Sequence, residues 1–106
     1  LGTVVMHRAV VNANVDAGVN AVINTGAIIE HDARLGDHVQ IAPGAIVNGG
    51  VTIGDRTYIG SGAIIREGVS IAPDVVVGMG AVVIGDIPRA GTYVGIPAKP
   101  IKTRLS

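Results

Sequence analysis

An aliphatic residue returns at every sixth position, in one unbroken phase, over most of the chain. The series is Val5, Val11, Ala17, Ile23, Ile29, Leu35, Ile41, Val47, Ile53, Ile59, Ile65, Ile71, Val77 and Val83, and only Ala17 is small. From Val11 onward a second series precedes it by two residues: Ala9, Val15, Ala21, Ala27, Ala33, Val39, Ala45, Val51, Thr57, Ala63, Val69, Val75 and Ala81. Positions two apart share one face of an extended strand, so each hexad turns a small and a branched side chain to the same side. Turn formers follow the pairs, as in Asn24-Thr25-Gly26, Asn48-Gly49-Gly50, Gly54-Asp55, Gly60-Ser61-Gly62 and Gly78-Met79-Gly80. A period of six matches neither an amphipathic helix nor a coiled coil. It predicts short strands with a corner after each, coiled into an all-β parallel β-helix. Hydrophobic residues make up 48% of the chain but aromatics only 2%, which suits a narrow interior with no room for rings.

Several function classes fall away on composition. With 106 residues the chain makes one domain at most. Eight basic residues balance eight acidic ones, so neither nucleic acid nor a membrane surface is an expected partner. The absence of cysteine removes disulfide frameworks and thiolate zinc clusters. No apolar run approaches the roughly 18 residues of a membrane span. The opening Leu1-Gly2-Thr3-Val4-Val5 lacks the basic start of a secretory signal, and a cytoplasmic location is expected. A chain that opens on Leu1 rather than Met is expected to be a piece of a longer protein.

The hexads resemble those of the hexapeptide-repeat acyltransferases. That resemblance implies a left-handed coil with three flat faces, hence three hexads, or 18 residues, per turn. Residues 18 apart then stack vertically. The outward residues sort into a ladder of Val10, Ile28, Ile46, Ile64 and Val82, a polar row of Asp16, Arg34, Thr52 and Ser70, and a row of Val22, Gln40, Tyr58 and Val76. An exposed, contiguous apolar ladder marks an association surface. Closed symmetry covers it without filaments, and the family resemblance implies a homotrimer built on the first ladder.

The segment Ile23-Asn24-Thr25-Gly26-Ala27-Ile28-Ile29-Glu30-His31-Asp32 is similar to the signature of the branch that acetylates sialic acids and nucleotide-linked amino sugars. The resemblance assigns His31 as general base and Asp32 as its helping carboxylate. An imidazole can take a proton from an attacking hydroxyl or amine. A neighbouring carboxylate fixes the tautomer and steadies the imidazolium. Stacking by 18 places Gly49 and Gly50 over His31, with Ala13 and Asn14 beneath, so a notch for a ligand is expected there. Backbone N–H groups are expected to steady the oxyanion.

Acetyl-coenzyme A is the implied co-substrate. Gln40 stands where relatives often carry a further histidine touching the acyl donor; it can donate a hydrogen bond but cannot titrate. Ser61 and Met79, 18 apart in glycine-rich corners, resemble loops that line the pantetheine arm. Flanking glycines would let a thin ligand approach the main chain. These residues are expected on a different edge from His31, so a complete site requires two subunits. His7 and His38 are expected to be solvated. Related trimeric carbonic anhydrases hold zinc with three histidines, but the three here are not spaced by multiples of 18, and no metal is expected.

The tail Asp86-Ile87-Pro88-Arg89-Ala90-Gly91-Thr92-Tyr93 breaks the hexads, dividing the chain into a β-helix over 1–88 and a cap over 89–106. The ending Gly95-Ile96-Pro97-Ala98-Lys99 resembles the one that lies near the nucleotide end of coenzyme A, and Lys99, Lys102 and Arg104 would meet its phosphates. The cap would also cover the open strand edges. Full-length relatives carry an N-terminal sugar-nucleotide-binding domain that these residues do not include. The expected function is acetyl transfer from coenzyme A to a sugar hydroxyl or amine. The competing expectation is a structural β-helix that serves as a scaffold, which needs the inward ladder but has no use for a Glu-His-Asp corner.

Overall fold

The computed structural model describes residues 2–101. The chain is an all-β, left-handed parallel β-helix. Its strands, nearly all of two residues, form three sheets. A seven-stranded sheet stacks Val4–Val5, Val22–Ile23, Gln40–Ile41, Tyr58–Ile59, Val75–Val77, Gly91–Val94 and Lys99–Pro100. A five-stranded sheet stacks Val10–Val11, Ile28–Ile29, Ile46–Val47, Ile64–Ile65 and Val82–Val83. The third sheet has four strands, Asp16–Ala17, Arg34–Leu35, Thr52–Ile53 and Ser70–Ile71. Pairing is parallel and in the register expected from the hexads, for instance Ile28 with Ile46 and Ile46 with Ile64.

Both inward series are buried from Ala21 to Val83. Val5 and Val11 are 51% and 41% exposed, although both belong to the inward phase. They lie in the terminal coil, where the core packs on one side only. Each corner turns in the same way: its second residue takes a left-handed φ, from Asn20 at 58° and Asp32 at 64° to Gly62 at 68°. Glycine, asparagine and aspartate tolerate that region best, which explains why they fill most of these corners, Arg8, His38 and Arg56 being the exceptions. Other glycines serve stacking. A Cβ on Gly54 would sit 2.3 Å from the Pro73 nitrogen one coil above.

Thr57 brings a hydroxyl into the aliphatic core. Its Oγ1 donates to the Ala72 carbonyl (2.8 Å) and accepts the Val75 N–H (3.1 Å), so the buried group is satisfied. On the solvent side Arg56 and Asp74 form a bidentate pair. The Arg56 hydrogen bond holds the Asp74 carboxyl below its usual range, a stabilisation present near neutrality and lost on acidification; both groups are exposed and screened.

The regular coil ends by losing two residues. Ile87, not residue 89, pairs with Ile71, and Tyr93 pairs with Val77. The sheets therefore continue past residue 88 in one shortened coil of 16 residues rather than stopping there. Tyr93 packs on the end of the hydrophobic core and donates its hydroxyl to the Arg89 carbonyl (2.9 Å). Lys99–Pro100 then turns back antiparallel on Gly91–Val94.

The two kinds of interior residue should respond differently to substitution. Ile59→Ala should lower stability by about 2–5 kcal/mol through the cavity it leaves. Thr57→Val, nearly isosteric, should still cost about 1–3 kcal/mol because the Val75 N–H loses its acceptor. Urea denaturation at fixed protein concentration measures both.

Candidate functional site

Three edges separate the three sheets, and the chemistry-bearing residues divide among them. His31 is the first residue of the corner between the Ile28–Ile29 and Arg34–Leu35 strands. Its Nδ1 stands 3.1 Å from Asp32 Oδ2, and both side chains are well exposed. The left-handed φ of Asp32 permits this adjacent pair to meet. Backbone ladders fix the corner vertically. Asp32 N–H donates to the Ala13 carbonyl below, and Gly50 N–H donates to the His31 carbonyl from above.

Gly49 packs directly against the imidazole. A Cβ at this position would lie 2.9 Å from His31 Cε1 and 3.1 Å from Nε2. A side chain at position 49 would therefore push the exposed ring aside, whereas the neighbouring Gly50 is favoured by its own φ of 69°. Beside the two lies an open cleft of about 490 Å³, lined by Glu30, His31, Asn48, Gly49, Arg66 and Glu67. Glu30 accepts a hydrogen bond from Asn12 Nδ2 (2.5 Å), one coil below. Asn48 Nδ2 is turned inward to the Ile65 carbonyl (2.8 Å). The Gly49 N–H donates to no acceptor among the described residues.

The remaining predicted residues lie elsewhere on the same chain. Ser61 and Met79 share the edge between the seven- and five-stranded sheets, and Met79 is 83% exposed. Gln40 stands on the outer face of the seven-stranded sheet, paired in register with Val22 and Tyr58 as the stacking predicts, beside the Ser61 edge and not on it. Lys99 is exposed in the last strand; Lys102 and Arg104 lie outside the described residues. His31 with Asp32 and Ser61 with Met79 therefore flank the apolar five-stranded sheet from opposite edges. The glycines around Ser61 and Met79 divide in role. Gly60 and Gly78 make room for the next coil, since a Cβ on Gly60 would sit 2.6 Å from the Met79 nitrogen and one on Gly78 would sit 2.8 Å from Val94 Cγ1. Only Gly62 and Gly80 face open space.

Arg66 and Glu67 were not singled out in the sequence, and Glu30 and Asn48 were read only as part of the Glu-His-Asp corner and of the Asn48-Gly49-Gly50 turn. Their signal was the stacking rule itself, since Asn48 and Arg66 are one and two coils above Glu30, and Glu67 is two above His31. No group of His, Asp or Glu that could hold a metal ion occurs among the described residues. No described helix is long and apolar enough to cross a membrane.

Residues 50–85 match the model described as bacterial transferase hexapeptide (six repeats). No curated protein is significantly similar. Among solved structures, perosamine N-acetyltransferase from Caulobacter crescentus, in complex with CoA and GDP-perosamine, is 34% identical with a TM-score of 0.89, covering 96% of this chain and 54% of that one. The acetyltransferase domain of PglB from Neisseria gonorrhoeae FA1090, in complex with acetyl coenzyme A, is 34% identical with a TM-score of 0.77, over 94% of this chain and 52% of that one. A maltose O-acetyltransferase from Clostridium difficile 630 is 30% identical with a TM-score of 0.83, over 94% and 65% respectively. The chain thus spans little more than half the length of the first two.

The Gly49 contact gives a direct test of the site's construction. Gly49→Ala should leave the circular dichroism spectrum unchanged yet displace the imidazole, read as altered His31 ring resonances in a long-range proton–nitrogen spectrum.

Proposed function

We infer, from a chain that carries the bacterial transferase hexapeptide repeat and folds as these sugar acetyltransferases do, that it moves acetyl from acetyl-coenzyme A to an amine or hydroxyl of a sugar. The observation that carries the reading is the exposed His31–Asp32 pair held against Gly49 at the mouth of a cleft. Sialic acids and nucleotide-linked amino sugars are the proposed acceptors. A capping role for the residues after 88, at the end of the last, shortened coil, and the use of an N-terminal sugar-nucleotide-binding domain in a longer protein, belong to the same proposal.

In this reading the acceptor nitrogen or oxygen attacks the thioester carbonyl carbon while His31 takes its proton. Asp32, 3.1 Å from Nδ1, orients the ring and steadies the imidazolium. Negative charge gathers on the carbonyl oxygen, and the free Gly49 N–H is the proposed donor to it. The carbon–sulfur bond then breaks, and the coenzyme A thiolate takes the proton back from His31. Ser61, Met79 and Gln40 are proposed to hold the pantetheine arm, and Lys99 the phosphates.

One chain does not bring those residues to His31, and a homotrimer would. The ladder Val10, Ile28, Ile46, Ile64 and Val82 runs down the five-stranded sheet between the two edges, with Val10 45% and Ile64 38% exposed. If these faces meet around a threefold axis, the His31 edge of one subunit adjoins the Ser61–Met79 edge of the next. The apolar face and the divided site call for the same assembly.

Two experiments test this. Release of free thiol from acetyl-coenzyme A, with amino sugars, sialic acid and sugar nucleotides offered as acceptors, should fall at least about 100-fold in His31→Ala. Release from neither protein would favour the scaffold reading. Ile46→Lys combined with Ile64→Lys should sediment as a monomer; an unchanged trimer would remove that face from the interface.

A further inference from the structure

We propose that Arg66 is the anion-recognising residue of the His31 cleft, selecting acceptor sugars that carry a carboxylate or a phosphate. The proposal rests on the acetyl-transfer reading for what happens at His31, but the binding it describes is measurable without turnover.

Arg66 is the one cationic side chain among the residues lining the cleft. Its guanidinium carries five N–H donors in a planar fork. The structure uses one of them, Nη1 to the Ile84 carbonyl, at 3.4 Å, beyond the usual range for such a bond. Glu30 and Glu67 line the same cleft, yet neither neutralises it: the ion pairs among the described residues are His31–Asp32 and Arg56–Asp74. Glu30 is engaged from below by Asn12, and Asn48, the coil between, spends its amide on Ile65. The fork of Arg66 is thus left open toward the cleft, and a planar carboxylate or a phosphate is its best-matched partner.

The spacing defines what would bridge the site. Arg66 lies two coils above Glu30, about 10 Å along the edge at the spacing of stacked strands. An acceptor whose nucleophile sits at His31 reaches it with a group across one sugar ring, either the carboxylate of an acidic sugar or the phosphate on an anomeric carbon. The phosphates of coenzyme A do not fit this distance. The extended pantetheine arm holds them farther than that from the thioester.

Calorimetric titration tests the assignment with four probes: sialic acid, a uridine-diphosphate amino sugar, a neutral amino sugar and coenzyme A. Each is added to the wild-type protein, Arg66→Ala and Arg66→Lys, with sedimentation to verify the assembly. Arg66→Ala should weaken at least one anionic probe by roughly 10- to 100-fold, the range for one charge-assisted pair. The arm that weakens identifies the anion as carboxylate or phosphate. Arg66→Lys should recover part of the loss, and the neutral sugar and coenzyme A should bind as before. Equal binding of both anions to wild type and Arg66→Ala, binding of neither to the wild type, or a loss confined to coenzyme A would each overturn the proposal. Arg66-dependent binding without thiol release would instead sink the acetyl-transfer reading and leave this one standing. Thiol release with an unchanged acceptor KM in Arg66→Ala would do the reverse.

Discussion

The constraint on which everything else depends is the parallel hydrogen-bond ladder that holds each coil 18 residues from the next. It commits every side chain to a column. An inward column must be filled to the same width at each level, so it repeats one kind of side chain from coil to coil, as Leu35, Ile53 and Ile71 do in one column and Ala33, Val51 and Val69 in the next. A parallel sheet is stable only when its apolar face is covered, and here the three sheets cover one another. The one interior hydroxyl persists because two backbone groups satisfy it.

The same columns build the site. His31 has no buried scaffold around it; its place comes from the corner it occupies and from the carbonyl and amide bonds to the coils above and below. Specific chemistry arises where a column changes composition. Gly49 interrupts the side-chain column over His31, and the ring occupies the space that a Cβ would need. Arg66 places charge one level higher, in no ion pair with the two carboxylates that line the same cleft. Function on such a prism is written by substitutions at corners that leave the interior unaltered.

Most of the fold was legible because a period of six has one structural solution in a chain with this composition. Both inward series followed from spacing, whereas the 18-residue coil that sorts the apolar outer ladder and stacks Gly49 over His31 came from the family resemblance. Handedness was carried by family resemblance alone. The shortened last coil was not legible, because Ile87 and Tyr93 keep the inward pattern two residues early and read as a broken repeat. The glycines beside Ser61 and Met79 were ambiguous for a related reason. Sequence shows a missing side chain but not whether the next coil or a ligand fills the space, and Gly60 is filled by backbone. Arg66 escaped notice because an exposed arginine is ordinary until its column neighbours are known.

The shortened coil also sets how far such a prism can grow. A rung missing two residues no longer presents hydrogen-bonding groups at the spacing that a further full coil would match. Tyr93 lies across the end of the core, and the reversed Lys99–Pro100 strand occupies the outermost edge. Its proline has no N–H to offer an incoming strand. A fold whose repeats would otherwise template their own extension, from one molecule into the next, therefore carries its own terminator.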